Sequence, residues 1–310
     1  MGLNTPSPNS QNHFSYLNIL FSDLKTIKMK TLPLFVILLF LSLQFYGQTI
    51  TGKVLNASTE EPLIYASIGV INTSFGTITD EKGNYNLEIK GLSRNSMVRF
   101  SMIGFKSHIY AIEELLNKEN TIRLEIETIN LPEVIVKSAG KLKKFGTTGY
   151  SSKHIIGWRG NDFSKGWEIG TKIELGDSPV KLKSLHMHVY KQTYDSSLFR
   201  LHIRNIVENL PHDELLKTDI LILITKESGW IDIDLSKYNL VFKDDIALSI
   251  EWIKVMGRDI NKRNTVTGQL TQAVTFNVKP NKGLTFQKMG TEAKWDRRES
   301  GSPSFYLTVQ

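Results

Sequence analysis

The chain has 310 residues, of which 40% are hydrophobic and 22% charged, and its formal net charge is +7. That balance supports a packed core and excludes global disorder, and 22 glycines with 9 prolines exclude collagen-like and low-complexity classes. The absence of cysteine excludes a disulfide scaffold, a thiolate metal site, a cysteine nucleophile and a lipid-anchored cysteine.

In chain order, the first feature is the apolar run Leu32–Phe45, preceded by Lys28 and Lys30 and followed by Gly47. A short basic region, a short apolar core and a small residue make a secretory signal peptide, and the run falls short of the roughly 20 residues that a membrane span needs. Residues 29–47 read as that signal, starting at Met29 and cut at Gly47/Gln48. Residues 1–28 read as an extension upstream of the true start. The product is then exported, as a periplasmic, outer-membrane-associated or secreted protein with no membrane span after cleavage. Its charge is split: residues 48–137 hold 9 Lys+Arg and 11 Asp+Glu, net −2, whereas residues 138–310 hold 26 and 19, net +7. A basic surface favours anionic partners such as acidic glycans, and export argues against nucleic acid.

Short alternating segments broken by turn residues dominate the rest. Residues 50–54, 64–71, 84–89, 97–103 and 120–126 suit strands, as do 167–175, 182–190, 199–206, 229–235, 245–253, 273–278 and 304–309. A short helix is expected at 112–118 and a turn near 213–217. No helical pattern between strands is long enough for βαβ units, so the fold class is all-β: two β-sandwiches, at 48–137 and 155–310, joined by a Lys- and Gly-rich linker at 138–154. The stretch Thr79-Asp80-Glu81-Lys82-Gly83 reads as a tight turn, with Asp80 accepting backbone N–H bonds and Gly83 at positive φ.

The densest signal lies between Thr51 and Phe105. Gly52-Lys53-Val54, Glu61-Pro62-Leu63, the Gly76-to-Leu87 stretch GTITDEKGNYNL and Ser101-Met102-Ile103-Gly104-Phe105 occur in order at sensible spacing. With these motifs the front ninety residues resemble the carboxypeptidase-regulatory-like domain. The resemblance implies a seven-stranded, prealbumin- or Ig-like sandwich that serves as an accessory module without catalytic residues. A similar module precedes the plug of TonB-dependent receptors in Gram-negative envelopes, and Leu131-Pro132-Glu133-Val134-Ile135-Val136 looks like the segment that follows it there. Too little chain remains for a plug and a 22-stranded barrel, so the receptor function is not carried over.

The back half weakly resembles a jelly-roll sandwich of the carbohydrate-binding kind. Residues 229–235 and 245–252 read as two adjacent strands. His186 and His188 share one strand face, and His202 lies on the next strand between Arg200 and Arg204; these three are the candidate metal ligands. The flanking arginines oppose a cation there, and the plainer reading is a polar outer face with Leu185, Met187 and Val189 in the core. Trp158, Trp167, Trp230 and Trp295 are placed near strand ends, where rings stack on sugars, with Arg159 and Arg297 as hydrogen-bonding neighbours. The candidate ligand set is therefore Trp158, Arg159, Trp230, Trp295 and Arg297. Asp232 with Asp234, and Glu251, are the carboxylates a hydrolase would draw on, but no catalytic motif is present, no catalytic residue is assigned and no cofactor is expected. The expected protein is a non-enzymatic binding or accessory protein of the envelope, whose partner is an envelope glycan or an envelope protein. The rival readings are a hydrolase with its site in the back domain and a purely structural interaction module.

Overall fold

A computed structural model describes residues 49–127, 141–159, 165–257, 265 and 273–310. The signal segment 29–47, the extension 1–28 and the stretch Leu131–Val136 lie outside the described residues.

Alternation builds the front module. Its strands are β1 (Thr49–Asn56), β2 (Ser67–Val70), β3 (Gly76–Ile78), β4 (Asn84–Glu88), β5 (Met97–Ser101), β6 (His108–Ala111) and, after the one-turn helix α1 (Ile112–Leu115), β7 (Glu119–Leu124). They form one sheet in the order β4-β1-β7 and a second in the order β3-β2-β5-β6. Val54, Ile68, Leu87, Phe100 and Leu124 point between the sheets and are buried. The Asp80–Gly83 turn is as expected: Asp80 Oδ1 accepts from the backbone N–H groups of Lys82 and Asn84, each at 2.8 Å, and Gly83 has φ 76°. The helix is shorter than expected, because the chain leaves helical geometry at Leu116 and Asn117 takes φ 59°.

The back module adds β8 (Lys143–Gly146), β9 (Ser151–Arg159), β10 (Trp167–Ile173), β11 (Val180–Gln192), β12 (Ser196–Val207), β13 (Leu210–Glu214), β14 (Leu221–Ile224) and β15 (Gly229–Asp234). It continues with β16 (Val241–Phe242), β17 (Ile246–Met256), β18 (Ala273–Pro280), β19 (Thr285–Met289), β20 (Asp296–Arg298), β21 (Gly301–Pro303) and β22 (Phe305–Val309). One sheet runs β13-β12-β17-β10-β19-β20, with β14 also on β12; the other runs β21-β18-β11-β22-β8, with β15 and β16 on β11 and β9 on β18. They share one core, in which Phe199, Leu201 and Ile203 from β12 meet Leu185, Met187 and Val189 from β11. The molecule is thus nearly all β, as expected.

Three expectations change. β15 and β17 are not adjacent: β15 pairs with β11 and β17 with β10 and β12, on opposite sheets, because each completes a different partner's ladder. The expected linker 138–154 contains β8, which pairs with β22, and the start of β9. Asp213 belongs to β13 rather than to a turn. No helix among the described residues is long and apolar enough to cross a membrane.

Residues 49–310 make one compact unit. The first back sheet turns its non-core face to the front module and is called the proximal sheet below; the second is the distal sheet. At the joint, Tyr65 and Ile78 pack with Leu198 and Ile253. Thr291 seats against Gly69 and Gly76, where an added Cβ would lie 2.1 Å and 2.4 Å from its Oγ1, and it donates to Ile68 O at 3.0 Å. Asn72 N donates to Glu292 O at 3.0 Å, and Lys254 pairs with Glu81.

Candidate functional site

The proximal face carries the densest chemistry. Because β12 alternates, Arg200, His202 and Arg204 all leave the core on this side and are buried beneath the front module. Arg200 Nη1 donates to Glu251 Oε2 at 2.9 Å, its Nε to Asp219 Oδ1 at 2.6 Å and its Nη2 to Tyr65 O at 2.8 Å. His202 is held by Glu214 at 2.6 Å on Nδ1 and by Glu251 at 3.2 Å on Nε2. Arg204 and Lys288 close on Glu168, at 2.6 Å and 2.7 Å, and both cations lie over the Trp295 ring. With His202 protonated, four cations (Arg200, His202, Arg204, Lys288) face four carboxylates (Glu168, Glu214, Asp219, Glu251).

Charge balance sets the protonation states. Burial works to raise the Glu168 carboxyl, but Arg204, His202 and Lys288 outweigh it and hold it well below the usual range. Burial likewise opposes, and Arg200 and His202 overcome, at Glu251. Burial and Arg204 push the His202 imidazole down, yet Glu168 and Glu214 prevail and raise it. A general acid needs a carboxyl raised toward neutrality; these carboxylates of the network move the other way, whereas Glu292 at the cavity wall, paired with Arg99, is raised by burial. The adjacent cavity of about 370 Å³ between the modules contains Ser67, whose Oγ bonds Glu251 at 3.2 Å rather than a histidine. The cluster is built as a docking joint.

The distal face is different. Here β11 presents His186 and His188 outward, between β15 with Trp230 and Asp232 and β22 with Tyr306 and Thr308. Tyr150 stacks on His188 with centroids 3.9 Å apart, and His188 meets Trp230 edge-on at 5.0 Å. Trp230 meets Tyr306 at 5.1 Å, and Tyr306 stacks on His186 at 4.2 Å. Tyr150 is exposed, Trp230 and Tyr306 are half-buried, and the Lys144 ammonium lies 5.2 Å over the Tyr306 ring. His188 Nδ1 bonds Asn277 Oδ1 at 2.7 Å, whereas His186 bonds Asp232 through Nδ1 and Thr308 Oγ1, at 2.8 Å, through Nε2. The Asp232–His186–Thr308 chain has the order of a nucleophile relay, but β22 is paired on both sides, which commits its backbone N–H groups to the ladder instead of an oxyanion hole. The result is an aromatic mat whose histidines are held by hydrogen bonds and whose other rings are held by stacking and edge contacts.

The expected site residues scatter over these surroundings. Of the ligand set, only Trp230 lies on the mat. Trp158 is 3% exposed and packs among Phe199, Trp252 and Phe276, because β9 pairs along β18 and turns it inward; it is a core residue. Trp167 also packs against that core. Trp295 lies under the front module, its ring occupied by Arg204 and Lys288. Arg297 is exposed on β20 and pairs with Glu299, and Arg159 ends β9 opposite Ala273. The three histidines are not brought together: His186 and His188 occupy the distal sheet and His202 the proximal one. Among the described residues no group of His, Cys, Asp and Glu is placed to hold a metal ion.

Sequence reasoning passed over Tyr150 and Glu168, met Arg200 only as a neighbour of His202, left Lys144 in the linker and saw Tyr306 only as part of the last strand. Tyr306 could have been found from the last strand, whose alternation puts it opposite Phe305 and Leu307. Tyr150 lies in the stretch read as linker and had no signal of its own.

Comparison with known proteins concerns the front module first. Residues 50–136 match the CarboxypepD_reg-like domain. The TonB-dependent receptor SusC of Bacteroides thetaiotaomicron is 31% identical over 138 residues, which is 44% of this chain and 13% of the receptor, so the chain spans a small fraction of that relative's length. Among solved structures, the cysteine protease and lectin-like domains of Cwp84, a surface layer associated protein of Clostridium difficile, align over 86% of this chain and 59% of that one at 9% identity and a TM-score of 0.39. The T13 particle of the virus IBDV aligns over 85% and 60% at 10% identity and a TM-score of 0.20. Scores this low do not establish a shared fold for the back module. The front module, by motif, strand order and family match together, is a carboxypeptidase-regulatory-like domain.

Proposed function

We propose that this is an exported, non-enzymatic accessory protein of the Gram-negative cell envelope, which binds carbohydrate through the distal face of its back sandwich. The carrying observation is the mat of Tyr150, His188, Trp230, Tyr306 and His186, a set of rings held by two stacked and two edge-to-face contacts on an open sheet face. Sugars present one apolar face and a polar rim, which such a surface matches: the rings take the C–H face, and Asp232, Thr308 and Asn277 supply polar atoms at the rim. The front module supports the envelope setting, since its likeness is to part of a TonB-dependent receptor. Its part here is to cover the proximal face and present the distal one. The envelope partner is a glycan, and removal of residues 29–47 sets the mature start at Gln48.

The test is a glycan array probed with the full mature chain. Saturable binding that is lost in Trp230→Ala supports the reading, and absence of binding to any glycan refutes it. The hydrolase reading rests on the Asp232–His186–Thr308 chain. Release of acyl or sugar products that stops in Thr308→Ala would favour it instead. N-terminal sequencing of exported protein checks the cut; an intact segment 29–47 on membrane-bound protein refutes it.

A further inference from the structure

The distal face is polarised across its strands. At one side β15 carries Asp232 and Asp234, both exposed; at the other β8 carries exposed Lys144. The strand order between them is β15-β11-β22-β8. Trp230 and the Lys144 ammonium flank the same Tyr306 ring, at 5.1 Å and 5.2 Å, and so lie within about 10 Å of each other. Farther along the same flank of β22, Tyr150, four residues after β8, reaches Trp230 through His188, by steps of 3.9 Å and 5.0 Å. His186, which stacks on the Tyr306 ring, is engaged by Asp232, so that carboxylate is partly answered; Lys144 has no carboxylate partner among the described residues.

We infer, resting on the carbohydrate reading above, that the ligand is an anionic glycan: a sugar stacked on Trp230 with its carboxylate or sulfate, or that of the next residue, received by Lys144. A pyranose placed on Trp230 puts an exocyclic acid a few ångströms from its ring centre, within the gap that the 10 Å separation leaves for a flexible lysine stem. Asp232, exposed beside Trp230 on β15, disfavours the anion on that strand, so the acid points toward β8. Between the two ends His188, held through Nδ1 by Asn277, offers Nε2 to a ring hydroxyl or the glycosidic oxygen, whereas both nitrogens of His186 are engaged within the protein. An acidic residue on the stacked sugar or its neighbour is therefore the recognition element.

The test is isothermal titration of the full mature chain with galacturonic acid oligomers, with the same oligomers fully methyl-esterified, and with a sulfated neutral galactan oligomer. The free acid is expected to bind about fivefold more tightly than the ester at low salt, the value of one partly exposed ion pair. That preference should shrink as salt is raised and vanish in Lys144→Gln, while ester binding stays unchanged. Trp230→Ala should weaken acid and ester alike. Tight binding of the sulfated oligomer together with the free acid assigns the site to anionic sugars in general; tight binding of only one assigns it to carboxylates or to sulfates. Equal affinity for acid and ester, or a preference that survives in Lys144→Gln, overturns the inference while binding lost in Trp230→Ala leaves the carbohydrate reading standing. No binding of any oligomer by the folded parent overturns the inference, and the glycan array then decides the carbohydrate reading.

Discussion

The proximal and distal sheets of the back sandwich are built by the same rule and end in opposite states. Each sends alternate residues into the shared core and alternate residues outward. On the proximal sheet the outward residues are Arg200, His202, Arg204, Glu168 and Glu251, ordinary candidates for a solvated surface, yet they are buried. On the distal sheet the outward residues are His186, His188, Trp230 and Tyr306, ordinary candidates for burial, yet they lie at an open face. A buried charge must be paired and hydrogen-bonded, and the proximal face answers with a four-to-four network that accepts groups from the front module, Tyr65 O and Ser67 Oγ. An exposed ring has no such demand, which leaves it available to a ligand. Outward-facing chemistry is thus spent on docking on one side and kept for recognition on the other.

If this contrast is right, single substitutions on the two faces should differ in kind. The largest effect is expected at Arg200, which neutralises Glu251 and Asp219 while reaching the front module. Arg200→Ala should cost about 3–5 kcal/mol of stability, because it leaves a buried carboxylate uncompensated; thermal or urea unfolding measures it, and a neutral result would break the docking account. Next comes the seat of Thr291. Gly69→Val places side-chain atoms where Thr291 Oγ1 already lies and should cost about 1–3 kcal/mol as overpacking. The loss should also speed protease cleavage at the joint, a readout that a fault confined to the front core would not share.

The pH dependence of stability comes third, and its sign follows from the network. His202 is raised in the folded state, so its contribution is fully present below its unfolded value of 6.5 and is lost as pH rises through the folded value. Glu168, Glu214 and Glu251 are lowered, so theirs is present above 4.5 and is lost as pH falls toward their folded values. The melting temperature should therefore peak in mildly acidic solution and decline on the alkaline side, and His202→Gln should flatten that decline. A parent protein whose melting point rises steadily above neutrality would contradict the protonated His202. The smallest stability effect belongs to the distal face: Trp230→Ala should cost about 1 kcal/mol or less, the value of its edge contacts, and yet abolish glycan binding.

Much of this protein is determined by its sequence alone. Alternation identifies the strands that carry the two cores, such as 84–89, 182–190 and 199–206, because a half-buried strand must be apolar at every second position. The motifs between Thr51 and Phe105 identify the front module. Asp80 and Gly83 define their turn, because an acceptor followed by a residue free to take positive φ solves that local geometry without help from elsewhere; Gly83→Val is expected to cost about 1–2 kcal/mol. What alternation cannot encode is which strand lies beside which, or what covers an outward face. β15 and β17 look like neighbours and belong to opposite sheets, since pairing is decided by long-range ladders through β11 and β12. Trp158 looks like a loop residue and is core, because β9 is drawn onto β18 from the stretch that reads as linker. His202 shares its residue type with His186 and His188, and only tertiary structure separates them. A second module covers one sheet and leaves the other open, and a residue's burial depends on that cover, which its own strand does not specify.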